Sequence, residues 1–151
     1  MNQKLVELLE KKQKQSRAGK QIDWNQRRDE YLAGVTALYE QIEGMLAEPI
    51  AAKTVQAIRR AKQLTESYIG TYSVEDLLLI IGSEQVRFSP RGRNIVGARG
   101  RVDVVGDRGE ASLVLQDDSK WGFVYSREPK LTIMPLDEAT MAEILQLVMR
   151  D

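Results

Sequence analysis

The stretch "LLLIIGSEQVRF", Leu77–Phe88, decides the fold, because two apolar segments flank a Gly82-Ser83 pair. That pattern is typical of a β-hairpin with a two-residue turn. Placing Ile81 opposite Glu84 gives a register in which each face is consistent in polarity, which supports the hairpin. In this register Leu79 faces Val86 and Leu77 faces Phe88 on the apolar side, while Leu78 meets Arg87 and Ile80 meets Gln85 on the other.

The segment that follows, "RVDVVGDRGEASLVLQ", predicts a second hairpin with its turn at Gly106–Gly109. Val104 then faces Ala111, and Val102 faces Leu113, on a buried side. Asp103 and Ser112 point the other way. We expect Arg99, Arg101 and Asp103 to share the solvent face of this strand, because strand residues alternate between the two faces.

Further strands and a helix complete the C-terminal half. In "WGFVYS" the aromatic residues Trp121, Phe123 and Tyr125 alternate, which is more typical of core than of a ligand cleft. "KLTIMP" follows, and Asp137 is the predicted N-cap of a final helix. The apolar positions of that helix are Met141, Ile144, Leu145, Val148 and Met149. The pattern predicts an antiparallel meander of about six strands closed by a C-terminal helix.

The N-terminal half reads as helical. A short charged helix is predicted from residue 4 to about 16, and a long helix from Trp24 to Leu46, ended by Pro49. The segment 54–70, "TVQAIRRAKQLTESYIG", is interpreted as a helix on its Ala, Arg, Lys and Gln content. Val55, Ala57 and the pair Tyr68-Ile69 leave an edge strand open as the alternative. The long helix carries a wide apolar stripe, which we take as the candidate interaction surface: Trp24, Tyr31, Val35, Leu38, Ile42 and Met45.

These patterns predict one α+β domain over residues 1–151, with a mainly helical arm at 1–70 and the antiparallel sheet plus C-terminal helix at 71–151. A chain of 151 residues has the usual size of a single domain. It can bury a sufficient core without disulfides or metals.

Composition excludes several chemistries. The chain has no cysteine and no histidine, which excludes disulfides, thiolate zinc sites and Ser-His-Asp or Cys-His catalysis within it. No phosphate-binding or nucleophile-elbow motif occurs. We therefore predict no catalytic residue, no cofactor and no metal. The absence of a recognisable signal peptide or membrane-length apolar run predicts a cytoplasmic protein without a membrane partner.

The basic segment from Glu84 to Arg101 is the candidate anion contact. It holds one acidic residue and five arginines, which are Arg87, Arg91, Arg93, Arg99 and Arg101. Nucleic-acid or phosphate binding would need these guanidinium groups on one uninterrupted face. The net charge of the whole chain is zero, and Asp103, Asp107 and Glu110 lie close by. Aromatic residues do not alternate with these arginines, as they usually do in single-strand binders. We therefore interpret 91–110 as strand, bend and turn, and keep nucleic-acid binding as the alternative.

A second basic cluster lies in the first helix: Lys11, Lys12, Lys14, Arg17 and Lys20. Such a cluster can contact phosphates or anionic lipid. Its apolar partner face is too small for a membrane anchor, so we interpret this segment as a mobile soluble leader.

"WNQRRDEYLAGVTALYEQIEGML", together with "GARGRVDVVG", resembles small bacterial proteins to which no activity is assigned. The resemblance implies a bacterial domain and brings no ligand or site residue with it. The function that the sequence favours is a non-catalytic interaction or assembly module. The apolar stripe of the long helix would make a large contact, either within the chain or with a second copy, and a protein partner is also possible.

Overall fold

The computed structural model describes residues 2–20, 23–93 and 99–151, without the side chains of 14–20. Four helices and seven strands follow one another along the described chain. The helices are α1 (Gln3–Lys20), α2 (Trp24–Met45), α3 (Ala47–Ala51) and α4 (Glu138–Val148). The strands are β1 (Val55–Glu66), β2 (Gly70–Ile81), β3 (Glu84–Gly92), β4 (Gly100–Val105), β5 (Glu110–Leu115), β6 (Trp121–Ser126) and β7 (Thr132–Pro135).

The strands form a single antiparallel sheet in the order β1-β2-β3-β4-β5-β6-β7. Every strand therefore pairs with its neighbours in sequence, which defines a meander. The predicted α+β architecture is confirmed, with helices before the sheet and one helix after it. The sheet has one strand more than the sequence indicated.

Both predicted hairpins have the expected register. In the β2–β3 hairpin Ile81 lies opposite Glu84 and Leu77 opposite Phe88, and Gly82 in the turn has a φ of +63°. That left-handed conformation is cheap for glycine and costly for residues with a Cβ. In the β4–β5 hairpin Val104 pairs with Ala111, Val102 with Leu113 and Asp103 with Ser112.

The additional strand is β1, so the helical interpretation of 54–70 is wrong. From Val55 to Glu66 each residue pairs with one residue of β2, Val55 with Ile81 at one end and Glu66 with Gly70 at the other. This ladder gives the backbone groups partners along the whole segment. Helix propensity differs by only ~0.7 kcal/mol per residue among ordinary residues, so such tertiary pairing overrides it. The sheet therefore begins at Val55, and the helical part of the chain is shorter than 1–70.

The helix boundaries also differ from those expected. α1 continues to Lys20, four residues beyond the predicted end. α2 ends at Met45, and Pro49 lies within the short helix α3. Proline is tolerated in the first turn of a helix, where amide hydrogens have no intrahelical acceptor. α2 and α4 both begin at an aspartate cap: Asp23 accepts a hydrogen bond from the Gln26 amide, and Asp137, the predicted N-cap, accepts one from the Thr140 amide.

α2 packs across one face of the sheet, which we call the core face. The Tyr39 hydroxyl donates to the carbonyl of Glu75 at 2.6 Å, and the Tyr31 hydroxyl donates to that of Arg101 at 2.7 Å. Burial raises the pKa of both tyrosines, which keeps these hydroxyls protonated as donors. Gly34 permits a close approach, because a Cβ there would lie 2.9 Å from the side chain of Leu115.

α4 covers the same face of the sheet at β4 and β5. Its C-terminal end is tied to the β4–β5 turn, where the Arg108 amide donates to the carbonyl of Val148. The buried core between the two helices and the sheet includes these side chains: Tyr31, Leu38, Ile42, Leu77, Phe88, Val104, Leu113, Phe123, Met141 and Ile144.

Tyr125 is an exception to the predicted aromatic core. Trp121 and Phe123 are buried as expected, whereas Tyr125 is 60% exposed. It lies near the end of β6, where the pairing with β7 is irregular between Val124 and Ser126. Because α4 packs on β4 and β5, this end of β6 is left open, and strand alternation alone does not bury a side chain there.

Candidate functional site

The apolar stripe of α2 belongs to the core of this chain. Tyr31, Val35, Leu38 and Ile42 are buried against the sheet, while Trp24 and Met45 at the two ends are half-buried. The large contact expected for this helix is therefore intramolecular. These four side chains are not available to a partner, so the candidate interaction surface must be sought elsewhere.

Two of the five arginines converge on one buried carboxylate. Asp103 is only 4% exposed, although the sequence placed it on a solvated face. Its carboxylate accepts hydrogen bonds from Arg91 Nε at 3.0 Å and from Arg101 Nε at 2.6 Å, and the Ser112 hydroxyl lies at 3.3 Å. The hydrogen bond to Asp103 raises the pKa of Arg101. The long arginine side chains flank Asp103. The aliphatic part of such a side chain can cover the protein surface while its guanidinium group remains in contact with solvent.

The remaining candidate anion contacts are dispersed. Arg87 is exposed and lies on the same side of the sheet as Asp103 by strand alternation. Arg99 reaches α2, which covers the opposite side, where its Nη2 lies 2.7 Å from Glu30 Oε2. Arg93 follows the end of β3. The five guanidinium groups therefore do not form the single uninterrupted face that the nucleic-acid alternative required of them together. The part of 91–110 between Arg93 and Arg99 lies outside the described residues.

α1 exposes a small apolar patch. From Asn2 to Gln13 every side chain is exposed except that of Val6, which is half-buried. Leu5, Leu8 and Leu9 are 47%, 51% and 57% exposed. Residues three and four apart lie on one face of a helix, so these leucines form one patch. A helix of this kind gains most of its stability from burial of its apolar side, which makes the patch a candidate docking element.

A second exposed apolar surface lies between α4 and the end of β6. We call it the α4–β6 groove. It encloses about 650 Å³ and is lined by Arg108, Tyr125, Glu143, Gln146, Leu147, Arg150 and Asp151. Tyr125 is 60% and Leu147 is 50% exposed. Sequence reasoning did not identify this groove. Leu147 gave the only signal, as an apolar residue outside the predicted inward positions of α4.

The groove is lined by two basic and two acidic side chains, and two further carboxylates lie beside it. Arg108 pairs with Asp151 at 2.8 Å, and Arg150 lies 3.2 Å from Asp107 and 3.4 Å from Glu84, which are outside the lining. Glu143 forms no ion pair with any described residue.

Charge is also unevenly distributed along the chain. Residues 1–20 hold six basic and two acidic side chains, so the rest of the chain holds 16 basic and 20 acidic ones. Although the net charge of the chain is zero, residues 1–20 are basic and the rest of the chain, which we call the body, is acidic.

The described ranges contain neither a metal-binding cluster of side chains nor a membrane-spanning helix. No group of three or more acidic side chains among them is placed to hold a metal ion. Among the helices of 2–20, 23–93 and 99–151, none combines the length and the apolar character needed to cross a membrane.

Comparison of the chain with models of known protein families, with curated proteins and with solved structures finds no match.

Proposed function

We propose that this protein is a non-catalytic cytoplasmic assembly module whose copies associate by seating α1 of one copy in the α4–β6 groove of another. The observation that carries the proposal is the pairing of two exposed apolar surfaces. One is the patch of Leu5, Leu8 and Leu9 on α1. The other is the groove whose exposed apolar side chains are Tyr125 and Leu147. An amphipathic helix lying in an apolar groove is a common mode of recognition.

Charge favours a second copy as the occupant. Lys4 and Lys12 lie four residues before and after Leu8, hence on the same side of the helix. In the groove Glu143 is without a basic partner among the described residues, and Asp107 and Glu84 lie beside the groove at Arg150. Two basic helices packed on each other would repel, whereas a basic helix beside Glu143 is attracted.

The expected association is weak and reciprocal. Complete burial of a leucine contributes roughly 1.5–3 kcal/mol, so each half-exposed leucine contributes roughly 1 kcal/mol. In a twofold dimer each chain would both donate a helix and accept one, which brings the leucine contribution to about 6 kcal/mol. The loss of translational and rotational freedom opposes this gain. We therefore expect association at high micromolar concentrations.

Sedimentation velocity tests this proposal at concentrations from about 5 to 500 μM, the range in which weak dimers form. The unmodified chain should shift from monomer to dimer over this range. Leu8→Asp and Leu147→Asp should each remain monomeric, because each places a charge in the apolar contact. Leu131→Asp is the matched control, since Leu131 is 55% exposed and does not line the groove.

A charge reversal tests the pairing of the two surfaces. Glu143→Lys should weaken the dimer, and Lys12→Glu introduced into the same chain should restore part of the loss. A chain that stays monomeric at the highest concentration would overturn the proposal. So would a concentration-independent fall in melting temperature for Leu8→Asp, because that would place α1 on its own body.

A further inference from the structure

An aromatic stack stands at the tip of the β1–β2 hairpin. The ring of Tyr68 stacks on that of Trp24, with centroids 5.3 Å apart and planes 14° from parallel. The guanidinium carbon of Arg27 lies 5.3 Å from the centroid of the Trp24 ring. Tyr68 is nevertheless 82% exposed, so the ring face that is turned away from Trp24 is open. Tyr68 also holds a φ of +69°, which is uncommon for a bulky residue.

Arg93 lies within electrostatic range of Arg27, which contacts this stack, and of Arg99. The pKa of Arg93 is lowered by burial and, next, by the positive charges of Arg27 and Arg99. Arg99 pairs with Glu30. Within the described parts of the chain, Arg27 and Arg93 have no carboxylate partner, since Glu66 accepts the backbone amide of Arg93 rather than its side chain. This region therefore holds two guanidinium groups without an ion pair among the described residues, although Glu66 and Glu30 offset part of the charge of Arg93.

We infer that this surface binds single-stranded nucleic acid, with one base stacked on Tyr68 and the adjoining phosphates held by Arg27, Arg93 and Arg99. Single-strand binders combine a positive surface along the backbone with aromatic rings on which bases stack. An anion here would also relieve the repulsion among the three arginines. We call these residues, with Trp24, the strand site. It rests on contacts independent of α1 and of the α4–β6 groove.

The geometry favours a single strand over a duplex. The Tyr68 ring can accept a base only if that base is free of its own stack, as in loops, ends and single strands. A duplex would instead need a broad array of cations on one face, whereas Arg99 reaches α2 on the side of the sheet opposite to Arg91 and Arg101. Arg91 and Arg101 are moreover engaged by Asp103.

Fluorescence anisotropy with a labelled 15-nucleotide oligothymidylate tests the inference, because this probe forms no duplex. We expect micromolar binding at about 50 mM salt, weakening with a log–log slope of about −2, since each single-strand phosphate contact contributes about −0.7. Tyr68→Ala should weaken binding about tenfold, in line with the loss of one stacked base. Arg27→Ala with Arg93→Ala should bring the slope close to −0.7.

Two control variants test whether oligonucleotide binding depends on the residues of the strand site. Arg87→Ala removes an exposed arginine away from the strand site, and Tyr125→Ala removes an exposed tyrosine of the α4–β6 groove. Neither should alter oligonucleotide binding, although Tyr125→Ala should weaken self-association. Each proposal can therefore fail without the other.

Three results would overturn the inference. The first is no binding of the oligothymidylate at low salt. The second is binding that Tyr68→Ala and the double arginine variant leave unchanged. The third is thymidine monophosphate or a 15-base-pair duplex competing as well as the single strand at equal phosphate concentration, which would indicate a free-nucleotide or a duplex site.

Discussion

Leu113 lies on the core face of β5, opposite Val102 of β4 and Phe123 of β6. It is fully buried, so replacement by alanine leaves a cavity between three strands. We expect Leu113→Ala to lower the free energy of unfolding by about 2–5 kcal/mol, the range for buried leucines. Urea denaturation measures this loss. Leu131→Ala is the exposed control and should change stability by less than ~0.5 kcal/mol. Equal effects of the two substitutions would contradict the burial of Leu113.

Single residues also show what the sequence can and cannot predict. Alternation correctly placed Leu113 on the apolar side and Asp103 on the polar side of the sheet. It could not predict that Asp103 is buried, because the cover comes from Arg91 on β3 and Arg101 on β4. Tyr125 shows the reverse case: strand alternation places it on the apolar side of the sheet, but no helix covers it there. The alternation of residues within a strand predicts which side of the sheet a side chain lies on. Whether that side chain is buried depends on which other parts of the chain pack on that side.

At the scale of elements, the hairpins were predictable and β1 was not. The β2–β3 and β4–β5 hairpins carry their own turn signals and complementary faces, so a short window of sequence contains the whole unit. β1 has mixed side chains such as Arg59, Arg60 and Lys62, and it follows no clear alternation of burial. Its conformation is set by its partner β2, which pairs with it over its full length. A stretch of sequence that contains β1 but not β2 therefore favours a helical interpretation of 54–70.

α4 depends on a cap that titrates. The Asp137 carboxylate accepts a hydrogen bond from the Thr140 amide at 2.8 Å, and the hydrogen bonds from Thr140 hold the pKa of Asp137 below its ordinary value of 3.8. Because the pKa is lower in the folded than in the unfolded chain, the ionised carboxylate contributes stability at neutral pH. That contribution is lost as the pH falls through the folded pKa.

Asp137→Asn separates the charge of this cap from its hydrogen bond, because asparagine caps helices about as well and does not ionise. We expect the variant to be less stable than the unmodified chain at pH 7, and the difference to be smaller at an acidic pH below the ordinary pKa of 3.8. Urea denaturation at the two pH values measures it. Glu10→Gln, on exposed α1, is the control for loss of a carboxylate. A difference that is the same at both pH values would contradict this account of the cap.

At the scale of the whole molecule, the basic α1 and the acidic body make stability depend on concentration if α1 docks on a second copy. A chain without residues 1–20 should melt at the same temperature as the full chain at about 5 μM, because the core is formed by α2, α4 and the sheet. At about 500 μM the full chain should melt at a higher temperature, since association stabilises the folded state by mass action. The shortened chain should show no such rise in differential scanning calorimetry. A lower melting temperature for the shortened chain at both concentrations would instead mean that α1 stabilises its own body.

The two proposed surfaces could not be predicted from the sequence as units. Tyr125 and Leu147 lie on different elements, and Trp24, Tyr68 and Arg93 come from three separate parts of the chain. Along 84–101 Phe88 is the single aromatic residue among the arginines, so aromatic and basic residues do not alternate in the sequence. Sequence reasoning did not anticipate that the β1–β2 hairpin brings Tyr68 to Trp24, where Arg27 contacts the ring of Trp24 and Arg93, after the end of β3, lies within electrostatic range of Arg27.

The consecutive strand order also has a consequence for synthesis on the ribosome. Each strand pairs with the one made just before it, so each hairpin can form as soon as its second strand emerges, and such local pairing favours rapid folding. α2 is made before any strand, yet its apolar side is covered by β2 to β5 and by Trp121 of β6. The stripe of Tyr31, Leu38 and Ile42 therefore stays uncovered until more than two thirds of the chain has been made. During that interval the nascent chain exposes an apolar helix, the kind of surface that chaperones bind.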